Sequence, residues 1–346
     1  MTNRGFAIEL RSLLMFKLIV LVVTIALSAF VALGQAPTLE IRTPDGPNLP
    51  ADLYYGNVKV KPLRLRPGTN TLITIDDSDF FVNQHYVDFL NRFPDSGGFA
   101  FWNSKITICG SDQACIFNNR IAVSNAFFFE LEFQKTGAYV FRLYREAFGN
   151  TQPFPNPDPS NAAEANKIPL YAKFKGDRQL VVGGANLPQK QLDLANDFVS
   201  RPDFVSKYPA SLATADQFVD AILATLTGLG VNLSGERNNL IALYNGGGGR
   251  GAVIYRLADD DLAGNPINNR AFIDAEYNRS FVYGEYSGYL RRNSDIGGFL
   301  FWLGQVNSGA LRDLTKQRAM VCSFLTSQEY QLRFGSTVTH SNAECN

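Results

Sequence analysis

This chain lacks an excess of either charge: 32 Lys and Arg are matched by 32 Asp and Glu over 346 residues. Without a basic surplus there is no field to concentrate phosphates, which argues against a nucleic-acid partner. Histidine is scarce, with two residues, and cysteine is limited to four. Neither His85 nor His340 stands at ligand spacing from a cysteine, so no metal site is expected, and nothing in the chain implies a cofactor. Disorder is excluded by a different shortage. Only 18% of residues are charged against 45% hydrophobic, a balance that buries a sizeable core. The 12% of aromatics, mostly Phe and Tyr, favour a core filled by rings.

The N-terminus carries an export signal. Arg4, Arg11 and Lys17 precede an uncharged apolar run from Leu18 to Leu33, and Ala32-Leu33-Gly34 offers small residues to a signal peptidase. Residues 1–34 are read as a signal peptide cut after Gly34. The alternative is an uncut anchor, although the apolar run falls short of the ~20 residues that span a bilayer. Either way the bulk of the chain is expected outside the cytoplasm, secreted or at the cell envelope. In an oxidising compartment four cysteines form two disulfides. Cys109 and Cys115 bracket a short polar loop and leave Cys322 with Cys345, although four cysteines allow three pairings. By loop-closure entropy the two bridges would contribute ~2 and ~3 kcal/mol.

Residues 35–75 are rich in Pro and Gly, with short β-like runs at 58–60, 63–65 and 72–75, and read as an extended strap or hairpin. Asp76-Asp77-Ser78-Asp79 reads as a helix cap. The stretch that follows, Phe81 to Trp102 (FVNQHYVDFLNRFPDSGGFAFW), returns as Phe281 to Trp302 (FVYGEYSGYLRRNSDIGGFLFW), with 11 of 22 positions identical. In the first copy Val82, Tyr86, Phe89 and Phe93 fall on one helical stripe. The second copy keeps Val282, Tyr286 and Tyr289 and departs at Asn293. Asp95 and Asp295 then open a short helix whose first turn holds Gly97-Gly98 and Gly297-Gly298. Glycine costs a helix up to ~1 kcal/mol relative to alanine, so a ring or backbone is expected against that turn. Phe99 with Trp102, and Phe299 with Trp302, are expected to anchor the core.

The repeat extends to Phe133 and Tyr330, but at an offset three residues shorter. The Cys109–Cys115 loop is therefore read as an insertion between helices. Two weaker copies lie between, each opening on an aromatic followed by Val (Tyr139-Val140, Phe218-Val219) and closing on an acid followed by an aromatic (Asp203-Phe204, Glu276-Tyr277). The reading is a mainly α, multi-unit helical array over 76–335. Its units span about 79–137, 138–208, 215–280 and 281–335, and a tail follows at 336–346.

These residues, Phe-Val…Tyr…Phe-Leu-Asn-Arg, then Pro-Asp…Gly…Phe-Trp, then Ser327-Gln-Glu-Tyr330, resemble the bacterial domain-of-unknown-function family 4214. The resemblance covers roughly residues 76–335, most closely in the outer units. It implies an all-helical module of secreted or surface proteins, distantly similar to phycobilisome linker domains, and carries no catalytic residue to transfer.

No chemistry-bearing constellation stands out. Gly246-x-Gly248-x-x-Gly251 spells a dinucleotide fingerprint, but it follows a helix and no βαβ unit surrounds it. A Ser-His-acid triad is hard to build from two histidines, and His85 reads as a helix-surface residue. Asp259-Asp260-Asp261 reads as a solvated helix end. The expected function is a non-catalytic structural or protein-interaction module at the cell surface, with an unknown protein or envelope component as partner. One alternative is a carboxylate-based hydrolase with paired acids in a cleft. Another is a glycan-binding module that stacks sugars on Trp102 and Trp302, which full burial of those rings would remove.

Overall fold

The structure, a computed structural model, describes residues 73–261, 264–334 and 338–345 and the backbone of three N-terminal strands. The signal segment 1–34 and the β-like run 63–65 lie outside the described residues. Two units are distinguished, one of residues 1–44 and 50–64, the other of 45–49 and 65–346. The first contains β1 (Leu39–Arg42), β2 (Asp52–Tyr55) and β3 (Val58–Lys61), an antiparallel meander in that order. Leu39 pairs with Tyr55, and Tyr55 with Val58.

The second unit is helical. In the first motif copy α1 (Ser78–His85) continues as a π-turn, Tyr86–Leu90, and stops at Asn91 in the left-handed region (φ 55°). Asn tolerates that conformation better than most residues, which makes it a natural stop. The expected stripe stops there too: Val82, Tyr86 and Phe89 are buried, whereas Phe93 lies past the break and is only half-buried. Then come α2 (Ser96–Thr107), α3 (Gln113–Phe129) and α4 (Leu131–Lys135).

In the middle, every residue of α5 (Gly137–Phe148) is buried. It is followed by α6 (Tyr171–Arg178), α7 (Leu187–Ser200), α8 (Pro202–Lys207), α9 (Ala215–Thr227), α10 (Arg237–Leu243) and α11 (Gly249–Ala258). The glycine string between α10 and α11 forms a π-turn, Tyr244–Gly248, with Gly247 at φ 95°, as a helix–helix connection requires. Burying α5 commits three charged side chains to the interior. Arg145 makes a two-pronged ion pair with Glu276 (2.9 and 3.1 Å). Arg142 instead donates to the carbonyls of Ala258 (2.8 Å) and Gln134 (2.7 Å), at the C-terminal ends of α11 and α4 where the helix dipole is negative.

The last copy repeats the first. Helix α12 (Arg270–Glu285) runs into a π-turn, Tyr286–Leu290, that stops at left-handed Arg291 (φ 52°). It is followed by α13 (Ile296–Asn307), α14 (Leu314–Leu325) and α15 (Gln328–Gln331). A boundary at 280/281 falls inside α12, so Glu276-Tyr277 and Phe281-Val282 share one helix.

The two copies meet in one core. Phe89 packs edge-on against Tyr289 (4.9 Å between centroids), and Phe128 against Phe281 (5.0 Å). Gly288 makes room for Phe89, and Gly284 for Phe133 and Phe128, since a Cβ at either glycine would collide with those rings. The three-residue offset between copies has a different cause from the one expected. The connections 108–112 and 308–313 are of similar length, whereas α3 has 17 residues and α14 has 12. The additional residues extend a helix, and the Cys109–Cys115 bridge joins the connection to its first turn.

Candidate functional site

The repeated motif builds the same device twice. Asp95 and Asp295 accept from the backbone N–H of Gly98 (2.8 Å) and Gly298 (2.7 Å), capping α2 and α13. Only the second glycine of each pair is sterically required. A Cβ on Gly98 would collide with the Tyr86 hydroxyl, and one on Gly298 with that of Tyr286, whereas Gly297 faces open space. The guanidinium of Arg92 stacks on Tyr86 (4.9 Å) and forks onto Glu132 through two 2.6 Å bonds. Arg292 does the same with Tyr286 (5.6 Å) and Glu329 (2.5 and 2.9 Å). The arginines and acids are identical in type in both copies, and the structure shows that they pair with one another.

The tryptophans depart from the expected core position. Trp102 and Trp302 are half-buried, leaning on Phe127 (5.5 Å) and Phe324 (6.4 Å) from the edge of the core. The tyrosine hydroxyl already fills the space under the first helical turn, so the indole is displaced outward. Beside each, edge-on at 4.8 and 5.1 Å, stands an exposed phenylalanine, Phe101 (51% exposed) or Phe301 (57%). The third aromatic differs between copies: Phe299 is buried, Phe99 half-buried. The copy with the buried ring is also the one that the Pro153–Pro169 loop packs against. Asp158 accepts from the Ile296 N–H (2.6 Å), and Asn156 donates to the Ser294 carbonyl, fixing the loop at the N-terminus of α13.

Between the copies lies a polar junction. Oδ1 of buried Asp88 accepts from Arg291 (2.6 and 3.0 Å), Arg333 (2.9 Å) and Gln84 (3.0 Å). Burial pushes Asp88 up, but the guanidiniums of Arg333 and Arg291 outweigh it and hold the carboxyl below its ordinary value. Arg178 donates to the Asp88 carbonyl (2.7 Å), and Arg333 to those of Gly288 and Tyr289, so both π-turns end on a guanidinium.

His85 proves to be buried, not a surface residue. Burial lowers it to about 4, so the ring is neutral near pH 7. Its Nδ1 lies 2.8 Å from the Phe81 carbonyl, which can only accept, so Nδ1 carries the proton. Nε2 is then the acceptor for the Ser124 hydroxyl at 2.9 Å, and Ser124 also bonds Tyr289. This is the pairing of a base with a nucleophile. Both residues are 0% exposed, however, so no substrate reaches them, and it is the Ser124–Tyr289 bond that joins the two copies.

The four cysteines form Cys109–Cys115 and Cys322–Cys345. The second bridge ties down the C-terminal tail, where His340 sits between Asp76 (2.9 Å) and Glu344 (2.8 Å) and stacks on Phe117. Asp76 thus binds Arg120 (2.8 Å) and the tail instead of capping α1. The aspartate run is likewise not a uniformly solvated end. Asp259 is 2% exposed, and burial raises its carboxyl.

The carboxylates raised furthest, Glu146 and Glu285, owe it to burial. Both are 0% exposed, and none of their oxygens has a hydrogen-bond partner among the described residues. A group of three or more His, Cys, Asp or Glu able to hold a metal does not occur among the described residues. Nor is any described helix long and apolar enough to cross a membrane. No curated protein and no solved structure matches the chain. Residues 263–339, which hold the second motif copy with its arginine–glutamate fork, match the family model described as Domain of unknown function (DUF4214).

Proposed function

We propose that this chain is a secreted or cell-surface interaction module of about four degenerate helical units, non-catalytic, with an envelope component as partner. The observation that carries this reading is the Phe–Trp pair exposed at the same place in both copies. Packing does not require Phe101 or Phe301, because the tyrosine, glycine and arginine–glutamate fork already fix each motif. Exposed aromatics leaning on a rigid support are the residues from which binding hot spots are built. The raised acids are sealed in the core, where a hydrolase needs them in a cleft.

The test is surface cross-linking on exporting cells, comparing the native chain with Phe101→Ser/Phe301→Ser. A discrete adduct lost in the variant, with unchanged circular dichroism, is the expected result. An identical adduct pattern would overturn the contact surface. N-terminal sequencing of exported protein should begin at Gln35, and a chain found in the cytoplasm would overturn the location. A second reading, a glycan-binding module, is favoured by the half-buried state of Trp102 and Trp302, which leaves part of each ring open to a sugar.

A further inference from the structure

A cavity of about 240 Å³ opens between α5, the start of the Pro153–Pro169 loop, α6, α7 and α8, away from both motif copies. Its floor is made of rings: Tyr144, Phe148, Phe198 and Phe204, all buried. Phe154, half-buried, forms one wall. The polar rim is fixed in advance. Arg201 stacks on Phe198 (4.9 Å) and forks onto Asp177 through two 2.7 Å bonds, while the Tyr144 hydroxyl donates to the same carboxylate at 2.7 Å. Two charged groups on the rim remain uncommitted. The Lys173 ammonium rests on the Phe154 ring at 4.2 Å with no carboxylate partner among the described residues. Asp203, half-buried, has neither a hydrogen bond nor an ion pair among them.

The ligand class follows by elimination. The volume is below the ~300 Å³ at which pockets for drug-sized molecules begin, so the cavity takes a single ring. Two cations and two carboxylates on the rim leave no net charge to select an ion of either sign. A wholly apolar ligand would desolvate half-buried Asp203 and leave it and the exposed Lys173 without a partner. A neutral ring with hydroxyl groups satisfies both, since each hydroxyl donates to a carboxylate and accepts from an ammonium. Its C–H face lies against Phe154, the one lining ring that is more than a few per cent exposed. We propose that this cavity is a binding site for one pyranose ring of a neutral glycan. The site shares its ligand class with the glycan-binding reading above but uses none of the Phe–Trp pairs, so the two can be separated.

The test is saturation-transfer NMR on the full, disulfide-bonded chain. The probes are glucose, galactose, mannose and N-acetylglucosamine, with N-acetylphenylalanine amide as an apolar aromatic control. At least one pyranose should bind in the millimolar range. Phe154→Ala should weaken it about tenfold, the loss expected for one stacking wall. Asp203→Asn, which keeps the shape of the side chain and removes only its charge from the first turn of α8, should weaken it several-fold with at most a small drop in melting temperature, and Phe101→Ser/Phe301→Ser should leave it intact. Binding lost in the Phe101/Phe301 variant but kept in Phe154→Ala and Asp203→Asn would overturn the cavity assignment while sparing the glycan reading. No saturation transfer from any of the four sugars, or transfer to the amide alone, would overturn the proposal outright.

Discussion

Gly297 and Gly298 are neighbours in one helical turn, yet they do different things. A Cβ on Gly297 meets open space, while one on Gly298 runs into the Tyr286 hydroxyl and the Asp295 carboxylate. Gly297→Ala should therefore stabilise the chain by up to ~1 kcal/mol through helix propensity. Gly298→Ala should destabilise it by about 1–3 kcal/mol, as overpacking does. Urea unfolding of the two variants gives the sign directly, and two changes of like sign would refute the packing account. That something packs on this turn is legible in the sequence, because both copies retain the costly pair. Pattern alone does not choose between adjacent glycines, since that depends on where a tyrosine eleven and twelve positions before them returns in space. The same limit applied to His85: a histidine one step off an apolar stripe reads as exposed until a second copy of the motif is found covering it.

At the scale of helices, differences between the copies are as informative as identities. Helix α13 presents Ile296, Phe299 and Leu303 to the interior, where α2 has Ser96, Phe99 and Asn103. The polar substitutions fall on the helix that has no Asn156–Asp158 loop fixed to its N-terminus. Gly284 and Gly288 similarly stand where the first copy has Gln84 and Asp88, because the rings of the first copy need that space. The helical class was legible from periodicity and the Cys109–Cys115 bridge from spacing, with Cys322–Cys345 left only as the remainder. The length of α3 was not, because a helix extended by a turn and a lengthened loop shift a sequence offset equally. The depth of the tryptophans is illegible for a related reason, since apolar neighbours do not say on which side of the core edge a ring lies. Trp302→Ala should therefore cost about 2 kcal/mol, below the ~3–5 kcal/mol of a fully buried aromatic, because part of the ring is already wet. Chemical denaturation checks the value, and a loss in the fully buried range would restore the core assignment.

At the scale of the whole helical unit, two polar contacts join segments far apart in the chain. The first is Asp88, whose Oδ1 holds Arg291 and Arg333 from the opposite motif copy. Asp88→Ala removes the buried carboxylate that Arg291 and Arg333 share and should cost about 2–3 kcal/mol, because Arg333 keeps the Gly288 and Tyr289 carbonyls and Arg291 reaches water. Arg291→Gln, whose side chain is 47% exposed, should cost far less. Thermal melts that rank the two variants the other way would remove Asp88 from its role as the link between copies. The second contact is the tail. His340 faces Asp76 from the segment before α1, Glu344 from the tail itself, and Arg120 and Phe117 from α3. The hydrogen bond to Asp76 is the largest influence on the imidazole and raises it above its ordinary value, partial burial opposing and Glu344 assisting. A raised folded-state value means that this contribution is complete below the ordinary histidine range and is lost as pH rises through the raised value. Asp76 works in the opposite sense: burial raises it, His340 and Arg120 overcome that, and its contribution is lost on strong acidification. The tail should accordingly be held most firmly in mildly acidic solution and loosen above neutrality, remaining tethered through Cys322–Cys345. Backbone protection factors at Thr339 and His340, whose amides bond to Gln331 (2.8 and 2.9 Å), should fall as pH rises through neutrality. His340→Gln should flatten that profile while leaving protection in α12 unchanged, and a wild-type profile independent of pH would rule out the histidine as the latch.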